Sequence, residues 1–154
     1  MPAAEVQPAP RSRFADGPAS SPGFLLWHVT HAWQRAVAAA LAPLELTHVQ
    51  FVLLACAWWL EDQGRTANQL QLARQAGTDV KMTSQVVRKL EAKGLVDRAV
   101  DPADTRARLL RVTAAGARLV RRAIVVVEDV DARFFAREAD AATAVLQRLV
   151  AAHD

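Results

Sequence analysis

Tyrosine is absent, cysteine occurs once, and aromatic residues make up only 6% of the 154-residue chain. A lone Cys56 excludes any intramolecular disulfide and fits a reducing compartment. No apolar run approaches the roughly 18 residues needed to cross a bilayer. The densest stretch, residues 51–60, is short enough to be a buried helix. No segment near the start combines a charged head, an apolar run and a small-residue cleavage site, so a cytoplasmic protein with no membrane partner is expected. A Gly-rich phosphate loop, a Ser/His/Asp set and a complete metal constellation are all missing. Neither an enzyme, a cofactor nor a metal site is therefore expected.

What is present is apolar. Hydrophobic residues make up 52% of the chain and charged residues 23%, enough for a core and a buried interface besides. The net charge of +3 is mild, but its distribution is uneven. Residues 81–111 hold eight basic and four acidic side chains, a net of +4, so the rest of the chain sums to −1. A basic segment in a near-neutral protein suits phosphate neutralisation, the other reading being a solvated charged surface. Five of the seven prolines fall before residue 23. Residues 1–23 bury little and are expected to form a flexible tail, with Arg11 and Arg13 as spare cations.

Helical periodicity and stop signals divide the remainder. A first helix is expected to start after Pro22-Gly23 and to run to about Leu41, ended by Pro43. It is apolar nearly all round (Phe24, Leu25, Leu26, Trp27, Val29, Trp33, Val37, Leu41), as a helix packed on two sides would be. Thr47 and Gln50 form a capping-box pair for a second helix reaching about Glu61. Thr66 and Gln69 repeat that signal for a third, over 67–76, with Leu70, Leu72 and Ala73 expected inside and Gly77 as its stop. A fourth runs from near Asp79 to Lys93 and ends at Gly94. Its residues Thr83, Val86, Val87 and Leu90 share one face, and Lys81, Ser84, Gln85 and Arg88 the other. Two short strands, 95–100 and 108–112, flank a turn-rich loop. Thr113 then caps a long helix to about Phe135, and a last helix spans about 139–151 with Ala141, Val145, Leu146, Leu149 and Val150 as its apolar residues.

The order carries more than any one element. Two short helices joined by a glycine turn, the second with a basic and hydrogen-bonding outer face, and then an arginine-rich hairpin make a winged helix-turn-helix. The fold class expected is mainly α with a small β-hairpin wing. The major groove, about 12 Å wide, admits one helix, and side chains on its exposed face must meet base edges and phosphates. Lys81, Thr83, Ser84, Gln85, Arg88 and Lys89 are the DNA-contact candidates on the helix. In the wing, Arg106 is placed to enter the minor groove and Arg108 to reach a flanking phosphate. Asp104 has the wrong sign for DNA and is expected to hold an arginine in position. A plain charged hairpin turn is the alternative for this loop.

The stretch DPADTRARLLRVTAAG at 101–116 resembles the wing signature of the MarR (multiple antibiotic resistance regulator) family, roughly D-P-x-D-x-R-A, a strand, then L-T-x-x-G. Val112 stands where Leu is commoner. KLEAKGLV at 89–96 resembles the end of that family's recognition helix, and the likeness extends over residues 24–152. The resemblance implies an obligate homodimer on double-stranded DNA with a pseudo-palindromic operator. It divides the chain into the tail (1–23), a dimerisation helix (24–45), the winged helix-turn-helix domain (46–113) and dimerisation helices (114–154). It also implies a repressor released by a small aromatic or anionic effector. A constitutive or architectural DNA-binding protein without an effector, a redox-responsive regulator using Cys56, and a winged dimerisation module without DNA binding are the competing readings.

Several residues support two readings. His28 and His31 are one helical turn apart, a spacing that metal sites use, but His48, Cys56 and His153 fall in separate elements. Lining of a pocket or of the dimer interface, where a histidine makes ligand release sensitive to pH, is the better reading. Trp58 and Trp59 are consecutive, so one is expected in the core and the other against the first helix, the other subunit or a cavity. Trp27, His28, His31, Trp58 and Trp59 are the ligand candidates. Cys56 has no basic neighbour in sequence to activate it, which favours inert burial over oxidant sensing.

Overall fold

A computed structural model of the chain describes residues 13–14, 16–105 and 108–153. The expected tail at 1–12, Arg106 and Ala107 lie outside these. The described elements are α1 (Pro22–Leu41), α2 (His48–Asp62), α3 (Gln69–Ala76), α4 (Val80–Ala92), β1 (Val96–Val100), β2 (Arg108–Val112), α5 (Ala114–Phe135) and α6 (Ala139–Ala151). The chain divides into two compact units, one ending at Gln34 and one beginning at Arg35.

In the first unit, the tail expected to run to residue 23 is cut short. Gly17–Ser20 forms a single 3-10 turn, and α1 already begins at Pro22. Proline at a first helical position gives up an N–H that has no partner there. The Ser21 hydroxyl before it accepts the Phe24 N–H at 3.4 Å. The side chains of Phe24, Leu25, Leu26, Trp27 and Val29 are exposed, Trp27 by 62%.

The second unit owns the core. Leu41, Leu53, Leu54, Leu72, Leu90, Val37, Val87 and Val120 are shut off from solvent. Each such aliphatic side chain contributes roughly 1.5–3 kcal/mol on burial. Helix ends are closed by side chains. Thr47 and Gln50 exchange both bonds of a capping box on α2. On α3 the cap lies two residues later than expected: Asn68 and Gln71 form the box, not Thr66 and Gln69. The reason is tertiary. The Leu110 N–H of β2 donates to the Ala67 carbonyl at 2.9 Å, and Asn68 forms an isolated bridge to Leu109, so the backbone before α3 is drawn out alongside the wing. The inward stripe of α3 is then 69, 72, 73 and 76. Leu70, expected inside, falls off that stripe and is exposed. Gly77 and Gly94 both take positive φ after α3 and α4, as the stop signals required.

β1 and β2 pair antiparallel with Val96 opposite Val112 and Val100 opposite Arg108. The hairpin is tied down at its base. The Glu61 carboxylate accepts the Val112 N–H at 2.9 Å. Thr113 N–H donates to the Leu95 carbonyl (3.1 Å), and the Thr113 hydroxyl donates to the Gly94 carbonyl (2.7 Å) while accepting the Gly116 N–H (3.0 Å). One threonine thus joins the end of α4, the foot of the wing and the start of α5. A Cβ built on Gly116 would sit 2.1 Å from the Leu95 carbonyl oxygen, so only glycine lets α5 leave the wing at this closeness.

α6 has no buried residue. The expectation that Trp58 or Trp59 would enter the core is corrected: Trp58 is half-buried and Trp59 is exposed. The core side of α2 is taken by Leu53, Leu54, Ala57 and Leu60. Among the described residues no single helix is long and apolar enough to cross a membrane.

Candidate nucleic-acid interface

Two opposed faces define α4. Thr83, Val86, Val87 and Leu90 are buried, at the i, i+3, i+4, i+7 spacing that builds one apolar stripe. Lys81, Gln85, Arg88 and Lys89 are exposed and Ser84 half-exposed. Asp79 caps the helix, accepting the Met82 N–H at 2.8 Å. Gln69 of α3 donates to the Val80 carbonyl at 3.4 Å, fixing the first turn of α4 to its partner helix. At the other end, Lys93 donates to the Glu45 carbonyl and to Gln50 Oε1, the latter at 3.1 Å, and Arg98 of β1 pairs with Glu91 at 2.8 Å. Both ends of the helix are thus pinned while its outer side stays open.

Thr83 needs correction as a DNA-contact candidate. It is fully buried. Its hydroxyl donates to the Asp79 carbonyl at 2.8 Å and lies 2.8 Å from the Thr78 hydroxyl. It closes the turn between α3 and α4 from inside and cannot reach a groove. Lys81, Ser84, Gln85, Arg88 and Lys89 share the outer side. In the wing, Asp104 and Arg108 are exposed, and Arg108 Nη1 donates to the Thr105 carbonyl at 3.2 Å. Asp101 Oδ1 accepts the Ala103 N–H at 2.8 Å, which tightens the loop. Arg106 itself lies outside the described residues.

The MarR family model matches residues 46–107, from the start of α2 into the wing. Over 125 residues the chain is 47% identical to the uncharacterised HTH-type transcriptional regulator YdcH of Bacillus subtilis (strain 168), spanning 81% of this chain and 84% of that protein. The chain belongs to the MarR family. It is a MarR-family transcriptional regulator, 36% identical over 115 residues to the HTH-type transcriptional repressor Rv2887 of Mycobacterium tuberculosis (75% of this chain, 80% of that one). Among solved structures it resembles CouR from Rhodococcus jostii RHA1 bound to p-coumaroyl-CoA, with a TM-score of 0.78, 29% identity, and coverage of 88% and 93%.

The ligand candidates of this MarR-family chain fall in two places. In the N-terminal unit, Phe24 meets His28 edge-on with ring centroids 4.4 Å apart, and Trp27 meets His31 at 4.0 Å. His31 Nδ1 donates to the Trp27 carbonyl at 2.7 Å. In the other unit, Trp58 and Trp59 line an open cleft of about 290 Å³ with Ala55, Cys56, Gln75 and Ile124. The Arg121 guanidinium lies 5.9 Å from the Trp58 ring centre. Burial pushes the Cys56 thiol above its ordinary pKa. That makes the thiolate scarcer, which weakens the redox reading. Burial pulls His48 on α2 below its ordinary pKa, against the opposing charge of Asp131 on α5. Among the described residues no three His, Cys, Asp or Glu side chains gather into a metal-binding group.

Proposed function

We propose that this regulator is a homodimeric repressor that lays α4 in the major groove of a pseudo-palindromic DNA site. Lys81, Ser84, Gln85, Arg88 and Lys89 make the groove and phosphate contacts, and the wing carries Arg106 and Arg108 to the flank. The observation that carries this reading is the split of α4, with four side chains locked inside and five hydrogen-bonding or cationic ones facing out. Asp104 serves the wing by steadying an arginine. The protein acts by binding, in the cytoplasm, and not by catalysis.

The dimer reading is supported by apolar side chains that a single chain leaves uncovered. Val145, Leu146, Leu149 and Val150 on α6 and Phe24 to Trp27 on α1 are exposed. In this division residues 24–45 and 114–154 pair the chains and 46–113 reads DNA. An effector reading is supported by the Trp58–Trp59 cleft, whose indole walls and nearby Arg121 suit a planar, anionic aromatic molecule. Trp27, His28 and His31 of the N-terminal unit are proposed as a separate set of ligand contacts.

The test is a gel-shift titration of Arg88→Ala on a duplex selected from random sequence with the wild-type protein. Affinity is expected to fall by about 1–3 kcal/mol, the scale of one specific contact. Unchanged affinity would remove α4 as the reading helix.

A further inference from the structure

The first turn of α4 presents two side chains that a cationic DNA face does not account for. Val80 and Met82 are 47% and 37% exposed, on either side of Lys81. Helical geometry puts Met82 on the same ridge as Gln85 and Lys89, and Val80 on the same ridge as Ser84. Apolar surface therefore brackets the polar face at its N-terminal end. That is the end from which recognition helices of this architecture meet base edges.

The helix terminus itself is closed to phosphate. Asp79 Oδ1 accepts the Met82 N–H at 2.8 Å, satisfying the donor and placing a carboxylate over the first turn. A phosphate would be repelled there. What this turn brings to nucleic acid is its side chains, held in place by the Gln69 amide on the Val80 carbonyl. Against water or phosphate an isopropyl or thioether group gains nothing. The apolar feature that the major groove displays is the thymine 5-methyl group.

We propose that Val80 and Met82 read thymine methyl groups on either side of the bases met by Ser84 and Gln85. This rests on the reading of α4 as the recognition helix and adds to it a specificity that hydrogen bonds cannot supply. The preferred site then holds thymine at fixed positions in each half-site, and those positions discriminate T from C partly through the methyl.

The experiment starts from a duplex enriched from random sequence with the wild-type protein. Each thymine is replaced in turn by deoxyuridine, which keeps every hydrogen-bonding edge and removes only the methyl. Binding is read by fluorescence anisotropy. Each contacted methyl is expected to weaken binding about fourfold when removed, the worth of one buried methyl-sized group. Val80→Ala and Met82→Ala should each lose sensitivity at a different position. Equal affinity for the thymine and deoxyuridine duplexes overturns the proposal and leaves the recognition helix standing. A loss that persists unchanged in both variants also overturns it, since the methyl would then act through DNA shape. Failure to enrich any duplex would remove the recognition-helix reading, and this inference with it.

Discussion

The helix-turn-helix and wing differ sharply from α6 in what they do with their apolar residues. α2, α3 and α4 each turn an aliphatic stripe into a shared core and cap their N-termini with Thr47, Asn68 and Asp79, leaving only scattered apolar side chains such as Trp59, Leu70, Val80 and Met82 outside. α6 caps nothing with a side chain and buries nothing, while Val145, Leu146, Leu149 and Val150 face solvent. The N-terminal half of α1, considered by itself, is equally bare. A monomer can stabilise the first arrangement alone. The second has apolar area with no cover in one chain, the kind of face that the proposed dimer would cover. The same composition thus serves two ends, according to whether the partner surface lies in the same chain.

The strongest way to break this contrast is to charge the bare face. Leu146→Glu with Leu149→Glu is expected to convert a dimer to a monomer in light scattering. DNA affinity should fall by ~100-fold or more as the second half-site contact is lost. A doubly substituted protein that keeps its dimeric mass would show that α6 pairs with nothing. Gly116→Ala probes the self-contained side. The added Cβ meets backbone, the Leu95 carbonyl, which cannot swing aside. The expected cost is about 3 kcal/mol, the upper end for overpacking, read as a lower urea midpoint at fixed protein concentration. A wild-type midpoint would mean that the α5–wing joint is looser than its geometry.

The smallest effect concerns the seam between α2 and α5. Folding lowers the His48 pKa by burial, so the unfolded chain binds the proton more readily. The linked stability is full above the unfolded value near 6.5 and declines as pH falls from there through the lowered folded value. Thermal midpoints should therefore drop modestly on the acid side, and His48→Gln should flatten that part of the curve. A slope unaltered by the substitution would assign the acid sensitivity to other groups.

Much of the proposed reading face is legible from spacing. Thr83, Val86, Val87 and Leu90 were separable from Lys81, Ser84, Gln85 and Arg88 because helical period alone sorts them. Including Thr83 among DNA contacts ran against that same pattern. A hydroxyl in a polar-looking segment reads as a surface group until its two partners, the Thr78 hydroxyl and the Asp79 carbonyl, are seen. The cap of α3 lies two residues past the first start signal because T-x-x-Q and N-x-x-Q both satisfy the local rule, and pairing of Ala67 and Asn68 with β2 chooses between them. Glu61 and Lys93 gave no signal at all. Each acts on a backbone group about fifty residues away in the chain.

What the sequence determined alone was local. Cap residues, glycine stops, the period of the apolar stripe and the basic wing segment each follow from neighbours within a turn or two, where backbone geometry limits the choices. Only the tertiary structure decided which start signal α3 uses, why position 116 must be glycine, and which tryptophan meets solvent. Those outcomes depend on distant groups competing for the same space and the same hydrogen bonds, and no local pattern records who wins.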